Sequence, residues 1–295
     1  MEKSIATPKM TKKILKENNI RLNKRMGQNF LIDPDIIDII IESAEIKGNE
    51  VILEVGPGIG SLTEYLLKSA NTGKVIAVEK DNRFINILKN QFQKEYKNEK
   101  LELINDDVLN INWNSFLEEY DKKVKVLANL PYYITTPVIM GLLESGYQFD
   151  SLTFMVQKEV AERMVSKPGT KAFGSLSVAV QYHTKAEIIH QVPSSAFLPS
   201  PKVQSAIIKL EQYKEKPYKP LDEEFFFSIV KAIFQQRRKN IKNGLSKAAE
   251  INLSKEIVLK SLEQVQIDRR KRGEKLDIAK MVELSNALKK NLKNY

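Results

Sequence analysis

Short apolar runs alternate with helical amphipathic patterns through the first two thirds of the chain. Residues 51–55 (Val-Ile-Leu-Glu-Val), 74–79, 101–105, 124–128, 152–156, 176–182 and 203–210 are bounded by turn-forming residues and read as strands. Several are apolar without alternation, as strands buried on both faces of a parallel sheet are. Between them lie helices. Asp33-Pro34 supplies an N-cap and a first-turn proline to one whose buried face is Ile36, Ile37, Ile40 and Ile41. Leu62, Tyr65 and Leu66 mark a second, and Phe84, Ile87 and Leu88 a third. Seven strands alternating with helices predict an α/β fold on a mostly parallel sheet. The last two strands, with no clear helix between them, predict an antiparallel edge hairpin.

The pattern changes at residues 214–220 (Lys-Glu-Lys-Pro-Tyr-Lys-Pro), which read as a boundary. Beyond it, residues 222–242, 254–265 and 277–292 are amphipathic helices, with Gly244 and Gly273 as breakers. The expected organisation is an N-terminal extension at 1–20, an α/β domain at 21–213 and a small helical domain at 214–295. No internal repeat or low-complexity tract is present in the sequence.

Charge sharpens that division. The net charge is +10, and residues 21–220 contribute none of it, with 25 basic and 25 acidic side chains. Residues 1–20 carry five lysines against two acidic residues, and residues 221–295 carry 17 basic against 10 acidic. The lysines of the N-terminal extension read as a solvated tail. The helical domain instead concentrates Arg237, Arg238 and Lys239 in one cluster and Arg269, Arg270, Lys271 and Arg272 in another. Guanidinium forks match phosphate oxygens, so nucleic acid is the expected partner. With no cysteine and only His183 and His190, no metal centre is expected. No apolar run approaches the roughly 18–20 residues that span a bilayer, and the N-terminus lacks a signal-peptide core. The expectation is a cytoplasmic monomer with no membrane partner.

Candidate chemistry sits at the strand ends, where open α/β sheets bind ligands. Glu54-Val55-Gly56-Pro57-Gly58-Ile59-Gly60 follows the first strand. Its spacing, G-x-G-x-G, is one residue shorter than the dinucleotide fingerprint. Glu79, with Lys80 beside it, ends the second strand and can accept both hydroxyls of a ribose. After the third strand, a carboxylate in Asn105-Asp106-Asp107 can accept from an adenine amino group or cap a turn. The set fits an adenosine-bearing ligand without a pyrophosphate: S-adenosylmethionine, not NAD.

Asn129-Leu130-Pro131-Tyr132 follows the fourth strand. Proline fixes an abrupt turn there. The Asn129 side-chain oxygen and the Leu130 carbonyl form an acceptor pair for an exocyclic amine, and Tyr132 offers a stacking face for a base removed from its helix. Phe197, in a proline-rich loop, either closes the other face or anchors the loop. Tyr133 and Trp113 read as packing residues.

Seven motifs stand in an order that resembles the ribosomal RNA adenine dimethyltransferases, the KsgA/RsmA group. They are Gly27-Gln28-Asn29-Phe30-Leu31, Glu54 to Gly60, Glu79, Asp107, Asn129 to Tyr132, Gln157-Lys158-Glu159-Val160-Ala161-Glu162-Arg163, and Phe197-Leu198-Pro199-Ser200-Pro201-Lys202-Val203. Phe234-Gln235-Gln236-Arg237-Arg238-Lys239 is similar to that group as well. The resemblance implies a Rossmann-like class I methyltransferase with a seven-stranded sheet, joined to a helical RNA-binding domain. It implies dimethylation of N6 at two adjacent adenosines near the 3′ end of small-subunit ribosomal RNA, on a 30S assembly intermediate. By the same resemblance Asn29, Leu31, Gly56, Gly58, Glu79, Lys80, Asp107 and Asn129 line the cofactor. Arg237, Arg238, Lys239, Arg269, Arg270 and Arg272 would face RNA. Asp106 stands where the family pattern has a small or amide residue, which leaves Asp106 and Asp107 both open as the adenine contact. The residues before Asn19 have no counterpart in the motif set.

The related macrolide-resistance methyltransferases of large-subunit RNA usually carry isoleucine where Leu130 stands. DNA N6-adenine methyltransferases carry an acidic first residue and a second proline in this tetrapeptide. A ribosome-assembly factor using the fold as an RNA clamp is the reading from another class. An intact glycine turn, Glu79 and Asn129 favour an enzyme.

Overall fold

The computed structural model describes residues 4–20, 28–118, 120, 123–236, 239–248 and 251–293, and they form two compact units. The first unit comprises Met1–Ala161 and Lys185–Gln212; the second comprises Glu162–Thr184 and Tyr213–Tyr295.

The first unit is built on seven strands: β1 (Val51–Val55), β2 (Lys74–Val78), β3 (Leu101–Ile104), β4 (Val124–Asn129), β5 (Ser151–Gln157), β6 (Thr184–Val192) and β7 (Ser205–Gln212). Their order across the sheet is β3-β2-β1-β4-β5-β7-β6. The pairs from β3 through β5 are parallel, and β7 runs antiparallel to β5. Chain order reverses direction between β1 and β4, so the crevice outside their carboxyl ends is the topological switch point. Every residue of β1 is buried, with Ile52 beside Val75 on one side and Lys125 on the other. Helix Pro34–Ala44 packs Ile36, Ile37 and Ile40 into the same core, capped as expected by the Asp33 carboxylate accepting from Asp35 N–H.

Two elements differ from expectation. Residues 176–182 are not a strand: they lie in helix Ser175–His183 of the second unit. Nearly every residue of that helix is buried, so it shows no polar face, and a short buried helix and a buried strand then share one sequence pattern. Ser177 also back-caps the helix by accepting from Gly174 N–H. The true strand, β6, is largely exposed along its length, and an edge strand of that kind carries no apolar run to find. The sheet therefore has seven strands with one member exchanged, and the last two in chain order, β6 and β7, are hydrogen-bonded neighbours at its edge, as expected.

Residues 4–20 are not a solvated tail. Thr7 and Pro8 start helix Pro8–Glu17, and Ser4 and Ile5 donate to the Glu64 carboxylate at 3.2 and 2.9 Å. Ile14 and Leu15 pack with Phe30, Ile59, Phe84 and Ile87, while the lysines stay outside.

The second unit is helical: Ser175–His183, Glu223–Gln235, Ile241–Ser246, Lys255–Gln264 and Ile278–Lys293 enclose a core that includes Phe173, Tyr182, Phe226, Val258, Met281 and Leu284. Residues 162–184, expected in the α/β domain, belong to this unit, and the chain enters it before residue 214 as well as after. Gly273 is a contact point and not only a breaker: a Cβ there would lie 2.0 Å from the Ile233 side chain. Among the described residues no helix is long and apolar enough to cross a membrane.

At the amino end of the sheet, Lys125 is only 6 % exposed. Its ammonium donates to the Ala44 and Glu45 carbonyls at 2.7 and 3.0 Å and lies 3.4 Å from the Asp150 carboxylate. It thereby closes the carboxyl end of helix Pro34–Ala44 and pairs a carboxylate with one buried charge. Lys125→Ala should lower the unfolding free energy by about 3 kcal/mol, read from urea denaturation, because it strands those acceptors.

Candidate active site

One cleft opens at the switch point, and the sequence-selected residues Asn29, Leu31, Gly56, Gly58, Glu79, Lys80, Asp107, Asn129, Leu130, Pro131 and Tyr132 all line it. They arrive from five separate segments, each ending a strand or a turn. The sheet topology brings four of these segments together, and the short ladder of Phe30–Leu31 with Phe197–Leu198 adds the fifth.

The glycine turn joins β1 to helix Ser61–Ser69. Gly56 and Gly60 both have left-handed backbones, with φ of 69° and 89°, but for different ends. A Cβ on Gly56 would meet nothing within 4 Å, so the backbone there is bare toward the cleft and open to close approach. A Cβ on Gly60 would come within 2.7 Å of the Phe92 ring, so that glycine serves helix packing. Gly58 lies over the Phe30 ring at 3.1 Å by the same measure.

Glu79, 9 % exposed, follows β2 and ties this turn in place. One carboxylate oxygen accepts from Gly58 N–H at 3.1 Å and the other from Asp81 N–H at 2.8 Å. Burial nevertheless pushes its pKa above the ordinary carboxylate value, with the backbone donors acting the other way. The Asn105 amide holds the backbone of this segment by donating to the Glu79 carbonyl at 2.8 Å.

Lys80 and Asp107 form an ion pair of 2.7 Å across the rim of the cleft. The Lys80 ammonium holds the Asp107 carboxyl below its usual range, and the other Asp107 oxygen caps the following turn by accepting from Leu109 N–H. Asp106 accepts from Asp107 N–H at 2.6 Å and also lines the cleft, so the structure brings both carboxylates to the site.

On the opposite wall, the Asn129 amide nitrogen donates to the Asn29 carbonyl at 3.0 Å. That bond orients the amide and directs its oxygen to serve as acceptor. Leu130 N–H donates to the Met155 carbonyl at 3.2 Å, holding the backbone of the tetrapeptide against β5. The Tyr132 hydroxyl shares a 2.8 Å hydrogen bond with Ser205 Oγ on β7, which fixes the ring at the cleft wall. Burial pushes the Tyr132 phenol up, so it stays neutral.

Phe197 is not at the cleft. It is 2 % exposed, pairs with Leu31 in a two-residue antiparallel ladder and packs in the main core, which makes it the loop anchor. Trp113 is buried, as a packing residue should be, but Tyr133 is exposed and lines the cleft. Gln28, Phe30 and Glu54, whose place in the chain assigns them no individual site role, line the cleft too. The signal for Glu54 was a carboxylate inside an otherwise apolar strand. It is 1 % exposed, accepts from the Thr63 hydroxyl at 2.7 Å, and its pKa rises to about 8, first through burial and also through the neighbouring Glu79.

In the second unit the arginine cluster at 269–272 is exposed, and Lys271 accepts through its carbonyl from Ile241 N–H at 2.8 Å. This bond, with Gly273 against Ile233, brings that cluster beside the segment that holds Lys239 and Lys242. Arg237 and Arg238 lie outside the described residues. Among the described residues no group of three or more His, Cys, Asp or Glu side chains is placed to hold a metal ion.

The family model described as ribosomal RNA adenine dimethylase matches residues 19–290. The chain belongs to that family. A protein of Halothermothrix orenii named ribosomal RNA small subunit methyltransferase A is 50 % identical over 98 % of this chain and 95 % of its own length. One of the same name from Lachnoclostridium phytofermentans is 42 % identical over 98 % and 99 %. These alignments reach into the N-terminal extension as well. Among solved structures, a dimethyladenosine transferase from Plasmodium falciparum superposes with a TM-score of 0.75 at 28 % identity, covering 89 % of this chain and 98 % of that one. The 23S rRNA methyltransferase ErmE superposes at 0.65 and 25 %, covering 88 % and 100 %. The fold is accordingly the Rossmann-like one of class I methyltransferases with a helical C-terminal region.

Glu54 predicts a pH dependence. Its folded pKa lies above that of an unfolded glutamate, so the folded state binds more protons between about 4.5 and 8. Its contribution to stability is complete below that window and is lost as pH rises through it. Urea titrations at pH 5.5 and 8.5 should show Glu54→Gln losing less stability between the two than the wild type.

Proposed function

We propose that this chain transfers methyl groups from S-adenosylmethionine to N6 of two adjacent adenosines near the 3′ end of small-subunit ribosomal RNA. The observation that carries the reading is the Asn129 amide, fixed by the Asn29 carbonyl beside a tyrosine fixed by Ser205. An aminopurine presented there meets an oriented acceptor and an aromatic face. The named relatives support the small-subunit target, with 50 % and 42 % identity over nearly the whole chain.

The cleft suits S-adenosylmethionine on its own features: a bare backbone at Gly56, a buried carboxylate at Glu79, and carboxylates at Asp106 and Asp107 near the third strand's end. When bound, the cofactor supplies a methyl group already activated by a sulfonium. Glu79 and the Gly56–Gly58 backbone would hold its sugar and amino-acid portion, and Asp107 or Asp106 its adenine amine. Lys80 neutralises Asp107 and keeps it ionised as an acceptor.

The amine of adenine is a weak nucleophile because its lone pair is delocalised into the ring. Asn129 Oδ1 and the Leu130 carbonyl accept hydrogen bonds from it, which biases the nitrogen toward tetrahedral geometry and aims the lone pair; the acidic proton left on the methylated nitrogen then passes to solvent. The gain is orientation and electrostatics in the transition state, since no strong base is needed against a sulfonium. Tyr132 holds the base plane. The second methylation follows the same course with one acceptor engaged. The exposed arginines of residues 269–272, with Lys239, would contact phosphate.

Asn129→Ala should lower methyl transfer to unmethylated small subunits by at least 100-fold while calorimetry still detects S-adenosylmethionine binding. An active variant would remove the acceptor role, and mapping the modified nucleotide in the wild-type reaction tests the target. Replacing Lys239, Arg269, Arg270 and Arg272 with glutamine should weaken RNA binding and flatten its dependence on salt by roughly one unit of slope per lost phosphate contact. An unchanged slope would place the RNA contact elsewhere.

A further inference from the structure

The turn after β4 delivers two consecutive tyrosines to one cleft, and the structure treats them oppositely. Tyr132 is half-buried with its hydroxyl committed to Ser205 at 2.8 Å. Tyr133 is 56 % exposed and lines the same cleft. A single exposed aromatic ring is ordinary on a protein surface. This one stands at the rim of a ligand cleft that Lys80 also lines, while Lys80 is itself paired with Asp107 at 2.7 Å. Leu109, two residues past Asp107, is also exposed, and its turn, Val108–Asn110, packs against helix Thr135–Leu143, which begins two residues after Tyr133. The rim thus carries an aromatic ring and a cation around an opening already suited to one nucleobase. Successive bases of an unstacked strand seat on successive aromatic faces, and a nearby ammonium suits the phosphate between them.

We propose that Tyr133 is a substrate-contacting residue that stacks on the nucleobase adjoining the adenosine held by Tyr132. This rests on the RNA-methylating function set out above. It assigns each tyrosine one of two consecutive bases: the fixed ring takes the base that reacts, and the free ring takes its neighbour. A ring left in water can follow the neighbouring base as the strand shifts by one nucleotide, whereas the ring tied to Ser205 stays with the reacting centre.

Steady-state methylation of unmethylated small subunits by full-length wild type, Tyr133→Ala, Tyr133→Phe and Tyr133→Trp tests the assignment. A hairpin RNA carrying 2-aminopurine beside the target adenosine provides an independent probe of stacking. Tyr133→Ala should lose about 10-fold in kcat/KM, mostly through KM, and should lose the quenching of 2-aminopurine fluorescence. Tyr133→Phe and Tyr133→Trp should retain both, and calorimetric affinity for S-adenosylmethionine should be the same in all four proteins. Wild-type kinetics and quenching in Tyr133→Ala would overturn the proposal. So would an equal loss in Tyr133→Phe, or a loss traced to cofactor affinity. If the wild type transfers no methyl to small subunits, the functional reading is what fails, and the quenching of the hairpin probe still decides the role of Tyr133.

Discussion

The Glu79 carboxylate, tied to the Gly58 and Asp81 N–H groups, is the contact on which the site depends. It couples the end of β2 to the glycine turn after β1, across the parallel pairing of those two strands. It adds a side-chain tie to the backbone one, in which Gly56 N–H donates to the Val78 carbonyl at 2.9 Å. With it, Gly56 keeps a bare backbone toward the cleft, and the first residues of helix Ser61–Ser69 keep their direction. A carboxylate in this place is costly to bury, and the two backbone donors offset that cost only in part.

The two walls of the cleft divide the work according to their electrostatics. The β1–β3 side is acidic: Glu54 beneath, Glu79 beside the turn, Asp106 and Asp107 at the rim. Burial keeps Glu54 protonated near neutrality, so the acid beneath the turn adds little repulsion to a second carboxylate nearby. Among the described cleft residues, the β4 side, Asn129 to Ile134, carries no carboxylate, amine or imidazole. It offers an amide oriented by a backbone carbonyl and a phenol that burial keeps neutral. That division suits a transfer in which charge is already present on one reactant and the other needs only to be aimed.

The second unit solves a different problem. Its core is apolar and aromatic, and the segments that carry Lys239 and residues 269–272 are brought together over it. Gly273 is required there because the turn bearing Arg269 to Arg272 lies directly on Ile233. The basic surface therefore depends on close backbone packing as much as on charge.

Much of this was legible in the chain, and for identifiable reasons. β1, β2, β4 and β5 are largely apolar runs because both faces are buried, β3 is a shorter and half-buried one, and the segments that end these strands carry the glycines, Glu79, Asp107 and Asn129. What local pattern could not show was anything set by burial from several directions at once. Helix Ser175–His183 looked like a strand because tertiary packing covers it on all sides, and β6 was invisible because its faces are wet. The placement of Phe197 and Tyr133 was set on the same ground: the two-residue ladder with Leu31 draws Phe197 into the core, while the turn after β4 leaves Tyr133 in solvent. Sequence by itself determined which chemical groups end each strand, since strand length and turn chemistry are local properties. Tertiary structure decided which of those groups face one another, because that depends on strand order across the sheet and on which side chains the core has room to take.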